Sequence, residues 1–417
     1  MPLQTVSARI RSFICLNAHP AGCAANVRGQ IDAIARVLAK APAGDGGRSG
    51  GEAGARSGAS IGAALIIGSS TGYGLASLLT TVFGYGARAV GVCLERPPQG
   101  DKTASAGWYN LVEAHRLARQ AGRAITTVNG DAYSRSIKDE VIARLKETGA
   151  RLDTVVYSLA SPRRVDPITG TSWTSVLKPL GAPYRSKSIS LGSDQIVEIE
   201  LPPANDAEVE ATRKVMGGED WELWMSALLE AGLLARGCRT VAYSYIGPEL
   251  TYPIYRSGTI GKAKEHLEET ARALGATLGQ RLGGAAYVSV NKALTTQASS
   301  AIPVVPLYIS LLYKIMKARG THEGTAEQIA RLYRDHLAPG RAPALDAGGR
   351  IRIDDLEMEP AIQREVAALW GQVTTENLFA LTDYAGFKQE FRSLFGFEVP
   401  GIDYTVPVET DLPLGST

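Results

Sequence analysis

Residues 63–74 have the sequence AALIIGSSTGYG, a short apolar run followed at once by a glycine-rich turn. The apolar run predicts a buried strand over Ala63–Ile67, and the apolar residues after the turn predict a helix over Gly74–Phe83. Glycines here let the backbone turn sharply and approach a pyrophosphate, whose charge would face the N-terminus of that helix. The stretch therefore predicts a dinucleotide-binding turn, with an ordinary strand-to-helix turn as the alternative.

The chain beyond this turn alternates short apolar runs with longer amphipathic ones. Strands that are apolar throughout are typical of a parallel sheet covered on both faces by helices. The pattern predicts an α/β fold with a Rossmann-type, doubly wound parallel sheet, and the GxxxGxG spacing is that of short-chain dehydrogenases. The other predicted strands are Ala89–Leu94, Ala124–Val128, Thr154–Ser158, Thr240–Tyr245 and Ala286–Val290.

The remaining segments are interpreted as elaborations of one domain, 1–417, with its core at about 61–318. A helical run at Val27–Lys40 predicts an N-terminal appendage. The segment 41–60 is rich in glycine, alanine and serine and has no large apolar side chain, so it predicts a flexible surface insertion. The residues from 320 to 417 carry further helical patterns and are interpreted as a C-terminal helical extension.

Composition argues against several classes of protein. Forty-four basic and 42 acidic residues leave a net charge of +2, which argues against a nucleic-acid partner. The four cysteines and five histidines lack the spacing of a metal site. The longest apolar run, Ala301–Met316, is interrupted by two prolines and is shorter than the ~20 residues of a membrane span. Since no signal-peptide core is present near the N-terminus either, a cytoplasmic location is expected.

Glu95 extends the predicted cofactor site. It follows Gly74 by 21 residues, at the carboxyl end of the second predicted strand. A carboxylate there binds the adenosine ribose hydroxyls and repels a 2′-phosphate, which favours NADH over NADPH, although Arg96 could offset part of that repulsion. A solvated charge at a strand end is the alternative. The next strand ends are natural contacts for adenine and the nicotinamide ribose, or simple turn residues; they carry Asp131, Ala132, Leu159 and Ala160.

Tyr255 and Lys264 form the predicted catalytic pair. A reductase of this architecture needs a phenol to stabilise negative charge and a cation that lowers the pKa of that phenol. Tyr313 and Lys317 match Tyr-x3-Lys but follow the sixth predicted strand, so this match is interpreted as accidental. Tyr255 and Lys264 lie between the fifth and sixth strands. Lys264 lies on the apolar face of a helix predicted from Thr259, where a buried charge needs a partner unless the side chain reaches solvent.

Tyr245, at the end of the fifth predicted strand, is a second phenol on the substrate side of the sheet. It could bind substrate, and an aromatic residue in a turn is the alternative.

These residues lie in longer stretches that resemble the FabV-type enoyl-acyl carrier protein reductases, which are closely similar to the trans-2-enoyl-CoA reductases. The resemblance covers essentially the whole chain outside 41–60, and its Tyr-x8-Lys spacing is specific. The stretches are HPAGCAANV (19–27), IGSSTGYGLAS (67–77), VMGGEDWELW (215–224), AYSYIGPELTYPIY (242–255), GTIGKAKEHLE (258–268), YVSVNKALTTQASSAIPVVPLYISLLYK (287–314), HEGTAEQI (322–329) and RIRIDDLEMEP (350–360).

The resemblance implies a monomeric enzyme that uses NADH to reduce the trans-2 double bond of enoyl thioesters of coenzyme A or acyl carrier protein. It implies that Tyr255 is the proton donor, that Tyr245 contacts substrate, that Lys264 binds the cofactor, and that Glu95 discriminates against NADPH. The family often has valine where this chain has Thr295. The other residues that it assigns to NADH are Gly68, Ser69, Ser70, Thr71, Gly72, Tyr73, Leu94, Asp131, Ala132, Leu159, Ala160, Leu294, Thr295 and Thr296.

Two other functions remain open at this point. A ketoreductase or alcohol dehydrogenase of the short-chain class would share the fold, but the Tyr-x8-Lys spacing argues against it. A non-enzymatic NADH-binding protein would share the cofactor turn without needing the tyrosine–lysine pair.

Overall fold

The computed structural model describes residues 3–11, 14–40 and 60–415 and has a seven-stranded sheet at its centre. The strands are β1 (Ala63–Ile67), β2 (Arg88–Cys93), β3 (Ile125–Asn129), β4 (Leu152–Tyr157), β5 (Leu234–Ser244), β6 (Ala285–Val290) and β7 (Ile351–Arg352). They pair in the order β7-β6-β5-β4-β1-β2-β3, always in parallel. The strand order reverses beside β1, and in such sheets ligands bind at the carboxyl ends of the strands near the reversal.

The predicted strands are confirmed, and most of their ends differ from the prediction by no more than two residues. The exception is β5, which begins at Leu234 and contains an irregularity before Arg239 that the apolar pattern did not reveal. The edge strand β7 was not predicted because its two residues are too few for a recognisable pattern.

Helices cover both faces of the sheet, which confirms the doubly wound fold. They are α1 (Pro20–Leu38), α2 (Gly72–Leu79), α3 (Ala106–Gln120), α4 (Arg135–Thr148), α5 (Asp206–Met216), α6 (Glu219–Glu230), α7 (Thr259–Leu282), α8 (Val305–Ala318), α9 (Thr325–Leu332), α10 (Pro360–Gln372) and α11 (Tyr384–Ser393). Helices α1, α2, α3 and α9 pack on one face, and α4, α6 and α7 pack on the other.

The alternation of side chains along β1 explains its unbroken apolar sequence. Ala64 and Ile66 pack in the cluster that contains α1 and α2, whereas Leu65 and Ile67 pack in the cluster that contains α6 and α7. Successive side chains of a strand point to opposite faces, so a strand buried on both faces must be apolar at every position.

Helix α1 is part of the main core, although the sequence suggested an appendage over Val27–Lys40. It begins earlier, at Pro20, and buries Val27, Ile34 and Val37 in the cluster formed with one face of the sheet. The correction has a simple cause, since an amphipathic helix buries its apolar side against whichever surface the fold offers. The predicted insertion 41–60 lies outside the described residues except for Ser60.

The long interval between β4 and β5 contains two hairpins before α5. One pairs Arg163–Val165 with Ser172–Thr174, and the other pairs Tyr184–Ser190 with Gln195–Leu201. The N-terminal segment has a further short hairpin, Ile10–Arg11 with Ile14–Cys15. The remaining short elements are Tyr252–Tyr255, Gln297–Ser300 and Leu378–Leu381 (α-helical), Glu249–Thr251 (3-10), and Thr80–Gly84 and Tyr333–Leu337 (π-helical).

The apolar run Ala301–Met316 mostly forms α8, which is buried at every position from 305 to 313 within a third apolar cluster. A helix that is apolar all round belongs in the interior of a large protein or in a membrane. No helix within the described ranges combines the length and the hydropathy of a membrane span. The segment before α1 and the segment after α11 meet at a pairing of Gln4 with Val408.

Candidate active site

The turn between β1 and α2 requires glycine at two positions. A Cβ atom on Gly68 would overlap the carbonyl oxygen of Ser158, and one on Gly74 would overlap the carbonyl oxygen of Gly68. The residue before α2, Thr71, makes no side-chain cap, so the first N–H groups of the helix are available to an anion. The turn therefore has the shape and the donors that a pyrophosphate needs.

Glu95 is fixed next to this turn by serine hydroxyls. Ser70 Oγ donates to Glu95 Oε1 at 2.5 Å, and Ser105 Oγ donates to the other carboxylate oxygen. The backbone N–H of Glu95 donates to Asn129 Oδ1 at 2.7 Å, which links the ends of β2 and β3. The Arg96 guanidinium donates to backbone carbonyl oxygens and forms no ion pair with Glu95 among the described residues. Leu94, one residue earlier, is 73% exposed.

A buried ion pair fixes the position of the loop after β3. Lys138 Nζ lies 2.7 Å from Asp220 Oδ1 and donates to the carbonyl oxygen of Ala132 at 2.9 Å. Trp224 Nε1 donates to the same carbonyl at 3.1 Å, and Asp131 accepts from the N–H of Tyr133. Asp131 and Ala132 therefore have a fixed position at the carboxyl edge of the sheet.

The loop after β4 lies directly against the glycine turn. The N–H of Ser158 donates to the carbonyl oxygen of Ile67 at 2.8 Å, and the Leu159 side chain is a near neighbour of Gly68. Leu159 is half-buried and Ala160 is exposed. These two positions lie where β1 and β4 separate, at the reversal of strand order.

The loop after β6 approaches the turn from the other side. Thr295 donates to the Tyr313 hydroxyl from its N–H at 2.9 Å and from Oγ1 at 3.1 Å, and Leu294 O accepts from Ser299 Oγ. An ideal Cβ on Gly72 would have the methyl group of Thr296 as its nearest neighbour, at 3.9 Å. Tyr73 hydrogen-bonds to Lys292 O at 2.6 Å, so its side chain joins the glycine turn to the end of β6.

Tyr245, Tyr255 and Lys264 meet at the carboxyl end of β5. The rings of Tyr245 and Tyr255 pack edge to face, with centroids 4.6 Å apart, and Lys264 Nζ donates to the carbonyl oxygen of Tyr243 at 3.2 Å. The Tyr255 hydroxyl has no hydrogen-bond partner within the described ranges. Tyr255 and Lys264 form no hydrogen bond with each other among those residues, and the end of β5 connects them through Tyr243 and Tyr245.

Burial shifts the pKa of both titratable groups of the pair. It lowers the pKa of Lys264 to about 8 because the ammonium loses water, and the carboxylate of Glu268 opposes this shift. Burial raises the pKa of Tyr255, and the negative charge of Glu357 raises it further. The phenol is thus a neutral donor at physiological pH, with a lysine nearby that titrates close to that range.

Tyr313 and Lys317, the Tyr-x3-Lys match, have other surroundings. Tyr313 is fully buried and its hydroxyl accepts from Thr295, while Lys317 pairs with Asp383 at 2.8 Å and lies over the Tyr313 ring. Their contacts join α8 to α11 and to the loop after β6, in agreement with the interpretation that the spacing is accidental.

Sequence reasoning missed Glu357, which lies between β7 and α10. Its carboxylate accepts hydrogen bonds from the hydroxyls of Tyr245 (2.9 Å) and Tyr308 (2.6 Å) and from the N–H of Ala293 (2.7 Å). The available signal in the sequence was an acidic residue between two apolar residues, Leu356 and Met358, in a stretch that resembles the reductase family.

Three family models match successive parts of the chain. They are described as the NAD(P)H binding domain of trans-2-enoyl-CoA reductase (residues 5–100), the trans-2-enoyl-CoA reductase catalytic region (residues 102–338) and the enoyl reductase FAD binding domain (residues 345–408). The chain belongs to the trans-2-enoyl-CoA reductase family. This membership confirms the resemblance that the sequence motifs indicated.

The chain aligns with relatives in this family over nearly the whole length of both. An enoyl-[acyl-carrier-protein] reductase [NADH] of Opitutus terrae is 50% identical over 98% of this chain and 99% of its own. A trans-2-enoyl-CoA reductase [NADH] of Clostridium perfringens is 48% identical over 97% and 98%. The crystal structure of Treponema denticola trans-2-enoyl-CoA reductase in complex with NAD matches with a TM-score of 0.91 and 46% identity, covering 98% of this chain and 99% of that one.

The C-terminal segment does not fit a flavin, despite the description of its family model. Among the described residues 345–408, the one strand of the central sheet, β7, has two residues, and no glycine turn leads from it into a helix. The buried acids of this segment have other partners: Asp354 pairs with Arg352, and Glu357 accepts hydrogen bonds from Tyr245 and Tyr308. No flavin-dependent step is therefore derived for this chain.

We predict that Glu95→Gln lowers the preference for NADH over NADPH by at least about tenfold, because a 2′-phosphate would no longer meet a carboxylate. The measurement is the ratio of kcat/KM for the two cofactors at constant ionic strength. Asp101→Asn, which changes an exposed charge six residues further on, is the control and should leave the ratio unchanged. An unchanged ratio in Glu95→Gln would mean that Glu95 is only a solvated charge.

We also predict that Lys138→Met destabilises the fold by about 3–5 kcal/mol, because Asp220 would keep a buried charge without its partner. Chemical unfolding measures the free energy. The matched control is Arg135→Met on the same helix, whose ion pair with Asp139 is long and exposed. This control should change the free energy by less than about 1 kcal/mol. Equal effects of the two variants would argue against a structural role of the buried pair.

Proposed function

We propose that this chain is an NADH-dependent reductase of the trans-2 double bond of enoyl thioesters carried by coenzyme A or acyl carrier protein. The observation that carries the proposal is the grouping of Tyr245, Tyr255 and Lys264 at the end of β5, where the ring of Tyr243 packs against that of Tyr73 in the glycine turn. The near full-length identity with enzymes named for this activity supports it.

The glycine turn and the strand ends would hold the cofactor. The free N–H groups at the start of α2 suit the pyrophosphate, and the Glu95 carboxylate suits the adenosine ribose hydroxyls. The other contacts would come from Ser69, Ser70, Thr71, Tyr73, Leu94, Asp131, Ala132, Leu159, Ala160, Leu294, Thr295 and Thr296. When NADH is bound, it supplies a hydride to the β-carbon of the enoyl thioester.

The residues of the chain then manage the charge of the substrate. Reduction at the β-carbon places negative charge on the thioester oxygen, and a positioned donor stabilises such charge more effectively than water does. Tyr255 is proposed as that donor, because its hydroxyl is free of other partners in the described ranges and its raised pKa keeps it protonated until the substrate acquires charge. Tyr245 forms the wall of the substrate site, and Lys264 binds the nicotinamide ribose and favours the ionised phenol.

We further propose that the whole chain acts as one unit, as a monomer, in the cytoplasm. The pairing of Gln4 with Val408 and the contact of Glu357 with Tyr245 support the first part, because both connect distant segments. Sedimentation at several concentrations tests the second part.

The proposed function is tested by following NADH loss with crotonyl-CoA and with crotonyl-acyl carrier protein in parallel, and again with NADPH. We expect turnover of at least one thioester with NADH and little with NADPH. Acetoacetyl-CoA serves as the control for a ketoreductase and should not be reduced. No turnover of either enoyl thioester would refute the proposal.

A further inference from the structure

Glu357 is a buried carboxylate of the C-terminal segment, outside the Rossmann-type core, that accepts a hydrogen bond from Tyr245. It is 0% exposed and lies in the loop between β7 and α10. Its oxygens contact three donors from three other parts of the chain: the hydroxyl of Tyr245, the hydroxyl of Tyr308 on α8, and the N–H of Ala293. A carboxylate without water is costly, so these donors are what allows it to be there.

The directions of the hydrogen bonds follow from counting protons. The N–H of Ala293 can only donate, and it lies 2.7 Å from Glu357 Oε2. The Tyr308 hydroxyl accepts from Gln363 Nε2 at 3.1 Å, so its own proton is directed to Glu357 Oε1. An ionised carboxylate only accepts, so the Tyr245 hydroxyl, which lies 2.9 Å from Oε1 and also hydrogen-bonds with the Tyr308 hydroxyl, directs its single proton into this buried cluster.

The charges around Glu357 are compatible with this ionised form. The positive charge of Lys292 favours ionisation of Glu357, as do the hydrogen-bond donors, while the negative charge of Asp354 opposes it. Tyr255 also faces this negative charge. Burial raises the pKa of Glu357 above its usual value, and the donors and Lys292 oppose this rise without cancelling it.

We propose that Glu357 is a positioning residue of the active site. It accepts a hydrogen bond from the Tyr245 hydroxyl and so fixes that ring against Tyr255. The proton of Tyr255 is then the one that is free for the substrate. This inference rests on the proposed enoyl thioester reduction. It assigns different tasks to two adjacent tyrosines: Tyr245 donates to Glu357 and forms an oriented wall of the substrate site, and Tyr255 donates to the substrate.

Glu357→Gln tests the proposal with little change of shape. A glutamine has one acceptor oxygen, so either Ala293 or the two phenols must then face an N–H group, and Tyr245 loses its fixed position. We expect kcat for crotonyl-CoA to fall about tenfold, because a small misplacement at a reacting centre is costly, while the KM for NADH changes less than about twofold. Glu359→Gln, two residues away and exposed, is the matched control and should behave as the wild type.

A double-mutant cycle with Tyr245→Phe separates positioning from a general structural effect. Because Glu357 is proposed to act through Tyr245, Glu357→Gln should lower kcat less than about twofold when Tyr245 is already phenylalanine. An effect that persists undiminished in the Tyr245→Phe background would overturn the proposal, and so would an unchanged kcat in Glu357→Gln. The thermal unfolding of each variant is measured alongside.

Tyr245→Phe alone gives a second test that does not depend on the folding of Glu357→Gln. If the proton of Tyr245 is committed to Glu357, this variant should keep kcat within about tenfold of the wild type, far above that of Tyr255→Phe. A loss as large as that of Tyr255→Phe would overturn the assignment. Failure of the proposed function is a distinct result, because the wild-type chain itself would then not reduce crotonyl-CoA.

Discussion

Tyr255→Phe is expected to lower kcat for crotonyl-CoA by about 10²–10⁴-fold, the range that a positioned general acid contributes. The phenyl ring would keep its edge-to-face contact with Tyr245, so the packing around it should be preserved. The hydroxyl has no partner among the described residues, and its removal should therefore leave no buried group unpaired. NADH binding, measured by fluorescence titration, should change less than about twofold.

The control for this variant is Tyr252→Phe, which removes a phenol from the same short helix at a half-buried position. It should keep the activity of the wild type. A Tyr255→Phe variant that reduces crotonyl-CoA at the wild-type rate would require another proton donor. If Tyr255→Phe lost both NADH binding and turnover, the result would instead indicate a disturbed fold.

Lys264→Met is expected to lower kcat/KM for NADH by at least about a hundredfold, because it removes a cation that the proposed mechanism uses at both the ribose and the phenol. Burial lowers the pKa of Lys264 to about 8, so the ammonium is present below that pH and is lost as the pH rises through it. In the wild type, the affinity of the free chain for NADH should therefore decrease above about pH 8. In Lys264→Met this dependence should be absent.

Lys262→Met is the matched control, two residues earlier on α7. Lys262 is exposed and pairs with Glu265 at 2.8 Å, so its removal should leave both kcat/KM and the pH dependence unchanged. Equal losses in the two variants would mean that the general positive charge of α7, and not the position of Lys264, supports binding.

The sequence was informative where local pattern determines structure. The apolar run at 63–67 predicted β1 with its observed bounds, because a strand buried on both faces must be apolar throughout. Tyr255 and Lys264 could be proposed as a pair because their place between two predicted strands and their spacing are local properties, and their catalytic roles stay a prediction. The glycines at 68 and 74 were found for the same reason, and the close approaches at both positions explain them.

The features that escaped prediction depend on contacts between distant residues. Glu357 and Tyr245 are 112 positions apart in the sequence, and Lys138 and Asp220 are 82 apart, so neither contact produces a periodic pattern in the sequence. The strand β7 has two residues, and the hairpins at 163–174 and 184–201 lie where prolines and polar residues hide the alternation. Helix α1 was recognised, but amphipathicity does not say which surface it covers.

The pairing of Gln4 with Val408 has a consequence for biosynthesis. Gln4 can pair only after Val408 has been translated, and Tyr245 can meet Glu357 only after residue 357 has been translated. Long-range pairings of this kind form slowly, and unfinished chains expose apolar surface in the meantime. A nascent polypeptide that ends before Glu357 would thus lack a complete catalytic centre, and C-terminal truncation would affect activity before it affected the glycine turn.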